Sequence, residues 1–291
     1  MTSKDWCHPS TEVANHYDTT HVREASRLDQ ESPIELAITT RHLNAGVRPG
    51  SVVLDVGVGA GHYAEFLATR ECQLILVDIS ARMLELTVLR LRRAGLDGRI
   101  LDVHLCSATN LQSIADGCCD AVLLLGPLYH LCRKDDRYAA AAEAFRVLKG
   151  NGTLFAAGIN RLAYFRDLCR DEPTAIASRL EFHSRFLADG NLAPAQAPKI
   201  GYAHLTTVDE FRALFPRHFQ ENALVGIESF ATSHQGQIAQ LDETLREAWL
   251  DLVEQTGGTP EGLAGANHFL YIGRKLTAGI GAPGSSPRFD R

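Results

Sequence analysis

The 291-residue sequence has little positive charge to spare. Lys and Arg number 29 against 35 Asp and Glu, a net charge of −6. The basic field that tracks a phosphate backbone is missing, which argues against a general nucleic-acid binder. No apolar run approaches the ~20 residues a bilayer span requires, and the opening Met1-Thr2-Ser3-Lys4 is polar. A cytoplasmic protein without a membrane partner is therefore expected. The seven cysteines, at 7, 72, 106, 118, 119, 132 and 169, form no CxxC pair. Neither a disulfide framework nor a cysteine zinc site follows from such scatter, and no metal is expected. What is present is a chain 45% hydrophobic, able to bury an ordinary core as one large domain or one domain with an insertion.

From residue 51 onward, short β-branched or leucine-rich runs alternate with helical patterns, as in parallel strands joined by crossover helices. Strands are predicted at 51–56, 73–77, 100–106, 119–125 and 153–159. Helices are predicted at 81–93, from Leu84, Val88 and Leu91, and at 136–149, from Tyr138, Ala142, Phe145 and Leu148. Ser32-Pro33-Ile34-Glu35 has the form of a capping box opening a helix that Gly46 and Pro49 close. Residues 1–31 read as an irregular or partly helical lead-in. After residue 159 the alternation stops, and 160–206 read as an insertion suited to a substrate cap. It resumes with a second capping box, Thr207 to Glu210, and a sixth strand at 223–230. A long helix follows with Ile238, Leu241, Leu245, Trp249 and Leu252 on one face, then a seventh strand at 268–272. The tail, 276–291, reads as disordered. The expected organisation is a lead-in and lid helix at 1–46 and an α/β domain at 47–275 interrupted by the cap.

The densest signal is Val52-Val53-Leu54-Asp55-Val56-Gly57-Val58-Gly59-Ala60-Gly61, a buried strand running into a glycine loop and then a helix. Such glycines permit a tight turn and let a ligand lie on backbone amides at a helix N-terminus. Asp78, at the end of the second strand, stands where an acid can bond both ribose hydroxyls of a nucleoside. A dinucleotide fingerprint would place its third glycine at position 62, which is His62. Asp55 also suits a cationic amino or sulfonium group better than a pyrophosphate.

On these residues the sequence resembles the class I S-adenosylmethionine-dependent methyltransferases. Leu54 to Gly61 match the first motif, Asp78 the ribose acid, and Arg146 to Gly152 the turn before the fifth strand, while Asp120 to Leu131 are similar to a small-molecule subset. The resemblance implies a doubly wound, mostly parallel seven-stranded Rossmann-like sheet with an N-terminal helical lid and an inserted cap. It implies S-adenosylmethionine as cofactor and a small-molecule methyl acceptor. Asp55, Gly57, Gly59 and Gly61 would form the loop holding the methionine end, Asp78 would hold the ribose and Ile79 one adenine face. Ser107 and Ala108 would meet the adenine edge, Leu125 and Gly126 would line the path to the sulfonium, and Tyr17 would belong to the lid. Two departures stand out: Ser107 occupies a position that usually carries an acid, and Gly150-Asn151 replaces a Pro-Gly turn.

Methyl transfer requires alignment of nucleophile, methyl and sulfur, with removal of a proton where the acceptor needs it. Tyr129 and His130, just past the fourth strand, and His204, at the end of the insertion, are the candidate catalytic groups. An NAD-dependent oxidoreductase and a nucleic-acid methyltransferase stay open as alternatives. The glycine loop and Asp78 favour the first but Gly61 and Asp55 oppose it, and the second lacks the polar residue that would hold a base amine near Gly126-Pro127. Oligomeric state and acceptor atom are not legible.

Overall fold

The computed structural model describes residues 9–276. Seven strands form the central sheet: β1 (Val52–Val56), β2 (Gln73–Asp78), β3 (Ile100–Leu105), β4 (Cys119–Leu124), β5 (Leu148–Ile159), β8 (Phe219–Gly226) and β9 (His268–Lys275), while β6 (Asn191–Leu192) and β7 (Ala203–His204) pair as a separate hairpin. The order is β3-β2-β1-β4-β5-β9-β8, parallel throughout except for β9, which runs antiparallel to both β5 and β8. The order reverses between β1 and β4, so a crevice opens beyond their carboxyl ends, where doubly wound sheets bind ligands.

The helices are α1 (Pro9–Gln30), α2 (Pro33–Gly46), α3 (His62–Thr69), α4 (Ala81–Arg93), α5 (Lys134–Val147), α6 (Arg161–Asp171), α7 (Leu180–Asp189), α8 (Val208–Arg212), α9 (Gln235–Ala239), α10 (Glu243–Gly257) and α11 (Pro260–Gly265). Alternation along each strand builds two apolar layers. Leu54, Val56, Val122 and Leu124 pack with Ala140, Ala144 and Val147 of α5 and with Phe211 and Phe215. On the opposite face Val53, Leu74, Leu76 and Leu123 pack with Ile34 and Ile38 of α2, Leu67 of α3, Leu91 of α4 and Val253 of α10. Residues 160–206 build a small core of their own from Tyr164, Leu168, Phe186, Leu192 and Leu205.

Four local expectations are corrected. The lead-in is a single 22-residue helix, α1, which periodicity misses because its buried side is mostly polar. Ser32 makes no side-chain cap; Glu35 instead turns inward to Arg27. The second box does form, with the Thr207 side chain accepting from Glu210 N–H and the Glu210 carboxylate accepting in return. The sixth strand starts at Phe219 and stops at Gly226, before residue 230; at that end it packs closely on α11, where a Cβ at Gly226 would lie 2.5 Å from the Gly262 carbonyl. The predicted long helix is two, since Asp242 caps a new start by accepting from Leu245 N–H. Its buried residues are Leu250 and Val253, whereas Leu245, Trp249 and Leu252 face outward. The tail expectation falls outside the described residues, apart from Leu276.

Candidate active site

The end of β1 becomes a binding loop through three glycines at positive φ: Gly57 at 76°, Gly59 at 54° and Gly61 at 79°. The loop is tied to β2, with Gly57 N–H and Val58 N–H both donating to the Val77 carbonyl at 2.7 and 3.1 Å. Thr87 of α4 donates to the Gly59 carbonyl at 2.8 Å. Asp78 accepts from Gly59 N–H at 3.1 Å and from Ser80 N–H at 2.9 Å. Each carboxylate oxygen keeps a further lone pair for a ligand.

Below the loop lies a cavity of about 350 Å³. Tyr17, Asp55, Gly57, Gly59, Asp78, Ile79, Ser107, Ala108, Leu125, Gly126, Tyr129 and His130 all line it. Gly61 does not: it sits behind the loop at the start of α3, where a Cβ would meet Thr87 at 2.8 Å. His204 does not line it either. That side chain lies in the cap hairpin, donating through Nδ1 to Asn191 at 2.9 Å with Nε2 buried and unpartnered. Elsewhere in the insertion Tyr164 contacts His183 at 3.3 Å, and Arg166 braces the Asn267 side chain and the Ala266 carbonyl.

Electrically the cavity is acidic. Burial, with the neighbouring Asp78 carboxylate, pushes Asp55 up to about 7, and burial pushes Asp78 up to about 6. No Lys or Arg of the described residues forms an ion pair with either, so the pair is matched to a cation from outside. On the ligand side of the loop, a Cβ at Gly59 would meet nothing within 4 Å. Open space over the loop backbone and two uncompensated carboxylates beside it fit a nucleoside that carries a cationic amino acid.

The helix α1 forms the roof. Tyr17 donates to His130 Nε2 at 2.7 Å, Asp18 accepts from Ser80 at 2.5 Å, Asp29 lies 3.0 Å from His62, and Arg90 donates to the Ala25 carbonyl at 3.1 Å. His130 Nδ1 donates to the Tyr202 carbonyl at 2.8 Å. A carbonyl only accepts, so Nδ1 carries the proton and Nε2 is left to receive one from Tyr17. Burial pushes His130 down to about 4, consistent with a neutral ring.

Sequence reasoning missed the charged wall next to this pair. Arg27 donates to Glu24 at 3.0 Å and to Glu35 at 3.3 Å, and His268 lies 3.9 Å from Glu35 and 2.5 Å from Glu228. Glu24, Arg27 and Glu35 line the cavity. Their positions at 24, 27, 35, 228 and 268 share no local motif that could have revealed the cluster.

A family profile described as a methyltransferase domain matches residues 54–156, the stretch from the loop through most of β5. Residues 54–156 are thus a methyltransferase domain. That match supports S-adenosylmethionine as the cofactor over the nicotinamide alternative. Among curated proteins the chain is similar to a ubiquinone biosynthesis O-methyltransferase from Chromobacterium violaceum, 27% identical over 140 residues, 48% of this chain and 56% of that one. A protein of the same description from Xanthomonas campestris pv. campestris is 29% identical over 113 residues, 39% of this chain and 45% of that one. The match thus spans about half the length of these relatives. Among solved structures, a SAM-dependent methyltransferase from Methanosarcina mazei superposes with a TM-score of 0.55 at 18% identity, covering 81% of this chain and 97% of that one. The [4+2]-cyclase SpnF also shares the fold, with a TM-score of 0.52 at 18% identity over 81% of this chain and 79% of that one.

Proposed function

We propose that the protein transfers a methyl group from S-adenosylmethionine to a hydroxyl of a small-molecule acceptor held between Tyr129, His130 and the inner face of α1. The observation that carries this reading is the buried Tyr17–His130 hydrogen bond on the cavity wall, with the ring tautomer set by the Tyr202 carbonyl. When bound, the cofactor supplies an electrophilic methyl carbon on a sulfonium, which leaves as a thioether. Asp55 and the backbone around Gly57 and Gly59 would hold its amino-acid end, Asp78 the ribose, and Ile79, Ser107 and Ala108 the adenine. Leu125 and Gly126 clear the path along which the acceptor oxygen approaches.

A neutral hydroxyl needs its proton removed as the new C–O bond forms. The proton passes to the Tyr17 oxygen while the Tyr17 proton passes to His130 Nε2, so the phenol is restored and the imidazole ends protonated. Tyr129, whose hydroxyl ionisation burial suppresses, shapes the acceptor end. His204 has no part in this relay. A roofed cavity of about 350 Å³ suits a metabolite better than a polynucleotide, and the O-methyltransferase relatives support oxygen as acceptor.

The test is mass spectrometry of a metabolite extract incubated with the protein and methyl-labelled cofactor. A labelled O-methyl product is expected. Tyr17→Phe and His130→Ala should lower turnover by about 10²- to 10⁴-fold while S-adenosylhomocysteine still raises the melting temperature, and Asp78→Ala should abolish that rise. Cofactor binding without any methylated product would overturn the proposed activity and leave the cofactor site standing.

A further inference from the structure

The strand β3 leaves an edge and a face of the sheet uncovered. It pairs with β2 on one side and ends the sheet on the other. Residues 106–118, which lead from β3 to β4, contain turns but no helix. With no crossover helix to cover them, Leu101, Val103 and Leu105 are 55%, 40% and 61% exposed. The devices that usually blunt such an edge, proline and lysine, are absent from Ile100-Leu101-Asp102-Val103-His104-Leu105. The Val103 N–H does not bond to β2; the Asp102 carboxylate of its own chain accepts from it at 2.8 Å. The other carboxylate oxygen of Asp102 lies 3.0 Å from His104 Nε2.

We propose that a second copy of this chain docks on this edge, β3 against β3 in antiparallel register about a two-fold axis centred on Val103. Side-chain chemistry selects that centre. With Val103 opposite its own mate, Asp102 of each copy faces His104 of the other, a carboxylate-to-imidazole cross-strand pair formed twice. Centring on Asp102 would set carboxylate against carboxylate, and centring on His104 would set imidazole against imidazole. In the Val103 register the outward backbone groups of both strands bond to each other, freeing Asp102 from its own chain. Val103 meets Val103, with Leu101 and Leu105 flanking the seam. The two seven-stranded sheets become one continuous sheet across an isologous interface.

Light scattering on the full chain across a concentration series tests this. Twice the chain mass is expected. Val103→Lys, which sets two like charges at the axis, should return the mass to that of one chain, whereas Leu245→Lys on the exposed face of α10 should leave it doubled; thermal melts of both confirm folding. The conservative Val103→Cys should cross-link to its own mate under mild oxidation, since directly opposed antiparallel residues lie ~5.5 Å apart at Cα, within disulfide range. Leu101→Cys and the native chain should not cross-link. A chain that is monomeric at every concentration overturns the proposal. So does a dimer that survives Val103→Lys and fails to cross-link through Val103→Cys, because it would then associate through another surface.

Discussion

His268 is strongly altered by its surroundings. Burial alone would depress it, but the Glu35 and Glu228 carboxylates overcome that and push it up to about 9, while Glu35 in turn is held below the usual carboxylate range by His268 and Arg27 against its own burial. A folded-state value above the unfolded ~6.5 means that the folded chain binds the extra proton. The resulting stabilisation is complete below about 6.5 and is lost as pH rises through 9. The melting temperature should therefore fall between pH 6.5 and 9, and His268→Gln should melt lower at pH 6.5 and show a flatter profile; an unchanged profile in the variant would remove the assignment. Asp55 and Asp78 behave oppositely toward a ligand. Raised to about 7 and 6, they share protons that a bound ammonium group displaces. Titration calorimetry of S-adenosylhomocysteine near pH 6.5, in buffers of differing ionisation heat, should show net proton release that Asp55→Asn reduces. Asp55 and Asp78 are legible in the sequence because each ends a buried apolar run. Glu35 is not, since its place after Ser-Pro reads as a cap until the partners from residues 228 and 268 are in view.

At the scale of the element, the glycine loop and α3 depend on backbone freedom that only part of the sequence signal explains. Gly59 faces the cavity, but Gly61 is constrained from behind: at φ 79°, a Cβ would press on Thr87 Cγ2 and Oγ1 at 2.8 Å and on its Cα at 3.1 Å. Gly61→Ala should therefore cost about 1–3 kcal/mol in denaturant unfolding and lift the loop from α4. Trimming the neighbour with Thr87→Ala should restore part of the loss, though not the share due to positive φ. Asn151, at φ 64°, shows the same demand met another way, since Asn tolerates the left-handed region that the replaced Pro-Gly turn would have given to glycine. For α10, spacing identified an apolar stripe along one face. The stripe is real, but the sheet contacts Leu250 and Val253, and the Phe230 ring packs on Trp249 outside. A helical period reports that a stripe exists, not which neighbour it meets.

At the scale of the molecule, α1 and the cap segment meet over the ligand crevice through His130, which bonds Tyr17 from one and the Tyr202 carbonyl from the other. Bonds from Tyr17, Asp18 and Asp29 tie α1 to the ends of β4, β2 and β1, the strands that carry the cofactor residues. Ligand binding beneath this roof should stabilise roof and core together. At S-adenosylhomocysteine a hundredfold above its dissociation constant, a gain of about 2.7 kcal/mol is expected, and proteolysis between α1 and α2 should slow in parallel. Protection of the core without protection of this junction would separate the roof from the binding event. The sequence by itself determined the strand-loop-helix unit, the acids that end β1 and β2, and the doubly wound class, because those follow from periodicity and steric limits acting over a few residues. Only the tertiary structure decided that the polar lead-in is a roofing helix, that His130 faces Tyr17 while His204 is buried in the cap, and that Glu35, Glu228 and His268 share one charge network. Those outcomes rest on burial and Coulomb interactions between residues as much as 233 positions apart, as with Glu35 in α2 and His268 in the last strand, and no local pattern encodes them.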